Sequence, residues 1–147
     1  TRCLSLRCHF TRRHSLIARK LPDYRLKQKI LYIDKTSPES LISYGDMYLE
    51  AGALSDALDF YARASHTAGI EKIRKQALEI GDVFLFQGAV RALGLELRDE
   101  DWENIAQTAV RLKKFSFAGQ ALKKIVDTGR ANALANMIKA EEAKQSA

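Results

Sequence analysis

A cluster of possible metal ligands lies near the start of the sequence. Two thiols and two imidazoles of the kind that bind zinc occur within a short stretch: Cys3, Cys8, His9 and His14. Their spacing, C-x4-C-H-x4-H, is tighter than in ordinary zinc fingers, and Cys8 and His9 are adjacent, so no usual chelate loop separates them. We therefore predict no metal site and no cofactor, and interpret these residues as part of an unstructured arm.

Catalytic groups are equally sparse in the body of the chain. Ser65 stands beside His66, but adjacent helical residues point about 100° apart, so they do not form a nucleophile–base pair. The acids in residues 99–103 are spaced to begin a helix rather than to bind a metal. No phosphate-cradling glycine loop and no dinucleotide fingerprint occurs. The sequence therefore predicts no catalytic residue and a protein that is not an enzyme.

Charge is distributed unevenly along the 147 residues. The chain has 24 basic and 18 acidic residues, a net charge of +6. Residues 1–30 hold nine of the basic residues and one acid, giving +8, so the remainder holds 15 and 17, giving −2. Such asymmetry is typical of an interaction tail or a targeting segment. We divide the chain into a basic arm, 1–21, expected to be flexible, and a single domain, 22–147.

The origin of the arm has three interpretations. Residues 1–20 are rich in Arg, contain Ser and Thr, and lack acids, as a mitochondrial presequence does. A retained basic arm, and sequence added during cloning or through a misassigned reading frame, are the alternatives. The body has no cysteine, so we expect a reducing intracellular compartment: the cytoplasm, or the mitochondrial matrix if the arm is a native presequence. No apolar run approaches the ~20 residues of a membrane span.

The body is predicted to be all-helical, because no segment alternates with period two. Ser37, Pro38 and Glu39 together form a helix-start signal. Glycines are expected to end helices in the left-handed conformation: Gly52, Gly69, Gly88 and Gly129. These signals predict helices over about 22–34, 38–52, 54–66, 70–87, 89–97, 100–114, 117–128 and 130–143.

The strongest pattern runs from Leu41 to Ala64. Small residues at Gly45 and Ala57 fit a close crossing of two helices, and Tyr48 and Tyr61 fill the space beside it. Together with Leu41, Tyr44 and Ala64, this order of large, small and aromatic residues resembles the tetratricopeptide repeat. Weaker echoes follow at two places: Ile80, Gly81, Phe84 and Leu93, then Ile105, Ala109, Leu112, Ala121 and Ile125.

The resemblance implies a right-handed superhelix of about three stacked antiparallel hairpins, with flanking helices and a groove formed by the first helix of each hairpin. An irregular helical bundle is the alternative fold. By the pattern match, the groove positions are Glu39, Ile42, Asp46, Leu49, Glu50, Lys75, Leu78, Asp82, Phe86, Glu103, Val110 and Lys113.

These positions predict a protein-interaction module or scaffold. Family members that bind acidic chaperone peptides carry a Lys and Asn clamp in the first repeat, where this chain has Ile42 and Asp46. An acidic and apolar groove suits a basic amphipathic protein segment, and the arm of a second copy could provide one, giving self-association. The alternative is a ribonucleoprotein subunit that contacts nucleic acid through basic residues of the arm: Arg12, Arg13, Arg19 and Lys20.

Overall fold

The computed structural model describes residues 20–147, and this part of the chain is all-α, as predicted, with no strand. The first helix, α1, is Tyr24–Gln28 and continues as a π-helical turn, Lys29–Ile33, that Asp34 N–H closes onto the Lys29 carbonyl at 2.8 Å. Seven helices follow: α2 Pro38–Glu50, α3 Leu54–Arg63, α4 Thr67–Ile80, α5 Val83–Ala92, α6 Asp99–Arg111, α7 Phe115–Leu122 and α8 Thr128–Ser146.

Three antiparallel hairpins form the centre of the described fold. Very short turns join α2 to α3, α4 to α5 and α6 to α7, and the helices of each pair pack on each other. Successive hairpins also pack in chain order: α3 contacts α4, α4 contacts α6, and α5 contacts α7. α8 then covers both helices of the last hairpin. The prediction of about three stacked hairpins with flanking helices is confirmed.

Side-chain caps fix several helix starts. Ser37 Oγ accepts from Ser40 N–H at 3.3 Å with Pro38 in the first turn, as predicted. α1 begins at Tyr24 instead of Pro22, because the Asp23 carboxylate caps it and accepts from Leu26 N–H at 2.8 Å. At α6 the acids do lie in the first turn.

Three of the four predicted glycine stops are wrong. Gly52 is left-handed (φ +77°) and ends the first helix of its hairpin, as expected. Gly69 and Gly129 instead lie in the first turns of α4 and α8, and Gly88 lies inside α5. The other left-handed glycines that separate helices are Gly81 (φ +66°) and Gly94 (φ +67°). The predicted helices 70–87 and 89–97 are therefore replaced by α4 and α5.

The core is organised around the aromatic residues of the first hairpin. Tyr61 is fully buried, with its ring between the helix backbones at Gly45 of α2 and Gly69 of α4. Phe60, also fully buried, stacks on Tyr44 and Tyr48 at ring-centroid distances of 5.5 and 5.3 Å. Small side chains at the crossing thus let large rings fill it, as the repeat pattern predicts for this hairpin.

The later repeat units differ from their predicted alignment. In the second, Gly81 forms the turn between α4 and α5, and Ile80 and Phe84 are exposed, so these three are not core positions of a first helix. In the third, Ala109, Ala121 and Ile125 are buried as predicted, together with Ile105, whereas Leu112 is exposed at the end of α6.

Most of the arm, including Arg12, Arg13, Arg19 and the four possible zinc ligands, lies outside the described residues. Lys20 is exposed, and Leu21 packs against the core. Across residues 20–147 no helix combines the length and apolar character needed to cross a membrane.

Candidate partner-binding surface

The first helix of the first hairpin presents alternating apolar and acidic side chains. On α2, Ile42 and Leu49 are half-buried and pack against the core. Glu39, Asp46 and Glu50 are exposed on the same helix. All five are positions that the sequence assigned to the groove, so α2 brings the first-repeat set together on one element.

The second hairpin keeps only part of its predicted set. Lys75 and Leu78 lie on α4 as expected. Asp82 instead caps α5 and accepts from Leu85 N–H at 3.0 Å, and Phe86 is buried inside α5, so neither lies on a first helix. Aligned on the left-handed turns at Gly52 and Gly81, the residue that corresponds to Glu50 is the exposed Glu79.

The third hairpin contributes little open surface. Val110 is buried in α6, and Lys113 lies in the left-handed turn after that helix (φ +59°). Glu103 is engaged by α8: the Arg130 guanidinium lies 3.2 Å from its carboxylate and 3.4 Å from that of Glu100. These contacts engage Glu100 and Glu103 of the third hairpin.

α8 is anchored beside those acids by Asp99. Its carboxylate accepts from the backbone N–H groups of Val126 and Asp127, at 3.0 and 2.7 Å, just before α8 begins. These two hydrogen bonds hold the pKa of Asp99 below its ordinary value, since they favour the charged form. Contacts between residues so far apart in the chain leave no local sequence signal, which is why the pairing of Arg130 was missed.

One carboxylate of the candidate surface is coupled to the core. Tyr61 Oη donates to Asp46 Oδ1 at 2.6 Å, so an exposed acid of α2 accepts from the ring buried between α2 and α4. Burial raises the pKa of Tyr61 far above its ordinary value, and the hydrogen bond to Asp46 and the charges of Asp46 and Glu50 raise it further.

The raised pKa of Tyr61 predicts a loss of stability in alkali. The unfolded chain releases the Tyr61 hydroxyl proton near pH 10, whereas the folded chain keeps it. The stabilisation that this group contributes is therefore complete below about pH 10 and is lost as the pH rises further. We expect Tyr61 to lower the free energy of unfolding by up to about 1.4 kcal/mol per pH unit in that range. Urea unfolding between pH 8 and 11 measures this slope, which Tyr61→Phe should reduce.

The matched control is Tyr24→Phe, which removes an exposed hydroxyl. It is expected to leave the alkaline slope as in the wild type. Equal slopes for Tyr61→Phe and the wild type would contradict the assignment.

A second ionic cluster fastens α1 to the first hairpin. The Lys27 side chain is buried, with its ammonium 2.5 Å from Asp56 and 2.7 Å from Asp59 of α3. Burial alone would lower the pKa of Lys27, but the hydrogen bonds to Asp56 and Asp59 outweigh it and raise the pKa. Tyr48 Oη also donates to the Pro22 carbonyl at 2.8 Å, so residues 22–27 are held firmly against α2 and α3.

The described residues form a concave feature at the junction of the second and third hairpins. A shallow crevice of about 410 Å³ lies beside the loop between α5 and α6, where Leu95, Leu97 and Trp102 meet Arg91 and Glu96. Within residues 20–147 no three His, Cys, Asp or Glu side chains converge so as to hold a metal ion.

Comparison with known proteins returned no match, whether against family models, curated proteins or solved structures. The surface is therefore interpreted from its own residues.

Proposed function

We propose that the chain is a non-catalytic protein-interaction module or scaffold inside the cell. The first helices of its hairpins would line the inner groove of a right-handed, tetratricopeptide-like superhelix and hold a basic amphipathic segment. One observation carries the proposal: α2 and α4 present carboxylates that no cation of the described residues neutralises, beside half-buried apolar side chains. These residues are Glu39, Asp46, Glu50 and Glu79, with Ile42, Leu49 and Leu78.

The geometry favours a helical or extended ligand that carries both apolar and basic side chains. Apolar residues at Ile42 and Leu49 lie seven positions apart, about two turns, so they offer two contacts along one side of α2. Carboxylates beside them complement Lys or Arg of a ligand and steer its approach. Because Arg130 occupies the acids of the third hairpin, the groove is confined to the first two.

Charge reversal tests this surface. We expect the Glu39→Lys, Glu50→Lys variant to bind a synthetic Leu–Lys amphipathic peptide at least about tenfold more weakly than the wild type, because both carboxylates become repulsive. Fluorescence anisotropy with a labelled peptide measures the affinity. Asp46 is left intact, because it accepts from Tyr61 and its loss would disturb the core.

The control variant carries the same change in net charge elsewhere. Glu96 and Glu142 are exposed acids on the loop after α5 and on α8, and Glu96→Lys, Glu142→Lys should weaken binding far less. Equal weakening by both pairs of substitutions would show that the effect comes from net charge alone. A peptide that binds neither the wild type nor the control variant would contradict the proposed groove. The arm of a second copy, with Leu16 and Ile17, is one basic segment of the required kind. Sedimentation at low and high salt detects the self-association that this would cause.

The charge of residues 1–30 favours a second function, contact with nucleic acid through the arm. Arg12, Arg13, Arg19 and Lys20 would neutralise phosphates, while the slightly acidic body would hold the protein partner. Under this alternative, RNA binding weakens steeply with salt and disappears when residues 1–20 are deleted. RNA binding that survives the deletion would refute it.

A further inference from the structure

The helices of the described chain recur in a constant register. The interval from the start of the first helix to the start of the second is identical in all three hairpins: Pro38 to Leu54, Thr67 to Val83, and Asp99 to Phe115. The second helices of the three hairpins begin at Leu54, Val83 and Phe115, at similar spacings along the chain. Tyr24, which begins α1, precedes Leu54 by a spacing that falls between those two. α1 with its π-helical turn therefore stands where the second helix of a preceding hairpin would stand.

The burial pattern of α1 agrees with this position. In α3 the fourth, seventh and eighth residues, Ala57, Phe60 and Tyr61, are buried. The same positions of α5 are buried as well. In α1 these positions are Lys27, Ile30 and Leu31, which are all buried against the first hairpin. α1 is thus half of a hairpin whose own first helix is missing among the described residues.

An open apolar face on α1 and its π-helical turn is formed by Tyr24, Tyr32 and Ile33. Tyr24 is 75% exposed, whereas its counterpart Val83 in α5 is 2% exposed. Tyr32 and Ile33 are 65% and 75% exposed. The same positions are exposed in α3, but there they hold a small residue, Ala62, and a charged one, Arg63. The wider π-helical turn places Tyr32 on the same side of the helix as Tyr24. Such turns are frequent at functional sites.

The preceding residues of the chain do not match the missing helix. In the same register it would span 8–20, and its core positions would be Thr11, Ser15 and Ala18, which cannot supply the apolar stripe of α2. The left-handed turn between the two helices would fall on Pro22, whose ring excludes a positive φ. Pro22 is instead held against α2 by Tyr48.

Charge identifies the kind of occupant. Exposed basic side chains occur on the segment that carries the open face and just beside it in the chain: Lys20, Arg25, Lys29 and Lys35. Of the nearby acids, Asp23 caps α1 and Asp34 lies 4.0 Å from Lys29. A basic surface repels the basic arm and the same face of a second copy, and it attracts acidic side chains.

We propose that the open face is a docking site for an acidic amphipathic helix of a partner protein. Its apolar side packs on Tyr24, Tyr32 and Ile33, and its flanking carboxylates meet Arg25 and Lys29. This is a helix-against-helix mode in which apolar anchors recur every three or four residues. The site is separate from the acidic groove of α2 and α4 and takes a ligand of opposite charge, so one module would join two different partners.

A pair of synthetic peptides tests the proposal on the full chain. One has leucine every third or fourth residue with glutamate between, and the other has lysine in place of glutamate. We expect the glutamate peptide to bind, and Tyr32→Ser, Ile33→Ser to weaken it at least about tenfold, because both anchors are lost. The control, Phe84→Ser, Leu95→Ser, removes two exposed apolar side chains elsewhere and should stay within about twofold of the wild type.

Charge reversal completes the test. Arg25→Glu, Lys29→Glu should lose the glutamate peptide and gain the lysine peptide at the same face. Three outcomes would overturn the proposal: equal weakening by the control pair, no preference of the wild type for glutamate over lysine, or no binding of either peptide. If Tyr32→Ser, Ile33→Ser converts an associating wild type into a monomer without any peptide, the occupant is a second copy and the proposal is also wrong.

Discussion

Tyr61→Ala is expected to lower the free energy of unfolding by about 3–5 kcal/mol, the range found for large aromatic residues removed from cores. Tyr61 is 0% exposed and lies between Gly45 of α2 and Gly69 of α4, so its ring connects the first hairpin to the second. Glycines on both sides have no side chain that could move into the space, so the cavity cannot collapse easily. The hydrogen bond to Asp46 is lost as well.

Urea unfolding followed by circular dichroism measures the loss, and Tyr32→Ala is its control. Tyr32 is 65% exposed on the π-helical turn after α1, so the same substitution there should cost well under about 1 kcal/mol. Similar losses for both variants would mean that Tyr61 does not fill the junction between the hairpins.

The first hairpin could be predicted from sequence because its packing is encoded locally. Gly45, Tyr48, Ala57 and Tyr61 fall within one stretch of the chain, and each lies in the crossing that the repeat pattern assigns to it. Phe60 was missed although it is fully buried, because the pattern marks only its neighbours Ala57 and Tyr61. Its three-residue spacing from Ala57 was the available signal.

The second hairpin was misplaced because glycine has two uses that look alike in a sequence. Gly69 is glycine for close approach: a Cβ there would lie 2.7 Å from the Tyr61 ring. Gly81 adopts the left-handed conformation, with φ +66°, and it also lies close to the next hairpin, since a Cβ there would lie 3.0 Å from Ala109 Cα. The prediction took Gly69 as a stop, whereas it lies at a close crossing inside α4, and it placed Gly81 inside a first helix, whereas Gly81 forms the turn after α4.

Two helix ends lacked the expected residue altogether. Ser65 (φ +53°) and Lys113 (φ +59°) adopt the left-handed conformation after α3 and α6, where glycine is usual. Non-glycine residues take up this strained conformation only where the surrounding packing imposes it, so the sequence predicted these ends a few residues too late, near 66 and 114.

The candidate surface could be predicted only where the positions of the hairpin helices along the sequence were predicted correctly. The five positions on α2 follow from the first repeat, and Lys75 and Leu78 lie on α4 as predicted. Asp82 and Phe86 were assigned wrongly because the second repeat was aligned at the wrong place in the sequence. The exclusion of the third hairpin depends on Arg130, which reaches back to α6 from the start of α8. Long-range ion pairs of this kind have no counterpart in local pattern.

A glycine at a close crossing and a glycine with open space around it are expected to respond to alanine with opposite signs. Gly45→Ala is expected to destabilise the protein by about 1–3 kcal/mol, because its Cβ would lie 2.6 Å from Tyr61 Cε1, a ring that is fully buried. Gly119→Ala is expected to stabilise it by about 0.5–1 kcal/mol, because nothing lies within 4 Å of a Cβ there and alanine is the better helix former. Urea midpoints of both variants measure the difference.

A double-mutant cycle identifies the cause of the Gly45 effect. In the Tyr61→Ala background the opposing ring is gone, so Gly45→Ala should lose its penalty and recover the gain in helix propensity, changing from destabilising to stabilising. Gly119→Ala lies in α7 and does not contact Tyr61, so its effect should add unchanged in both backgrounds. If Gly45→Ala is equally costly with and without Tyr61, contact with that ring is not what requires glycine at position 45. The helix crossing itself would then have to be too close for any side chain.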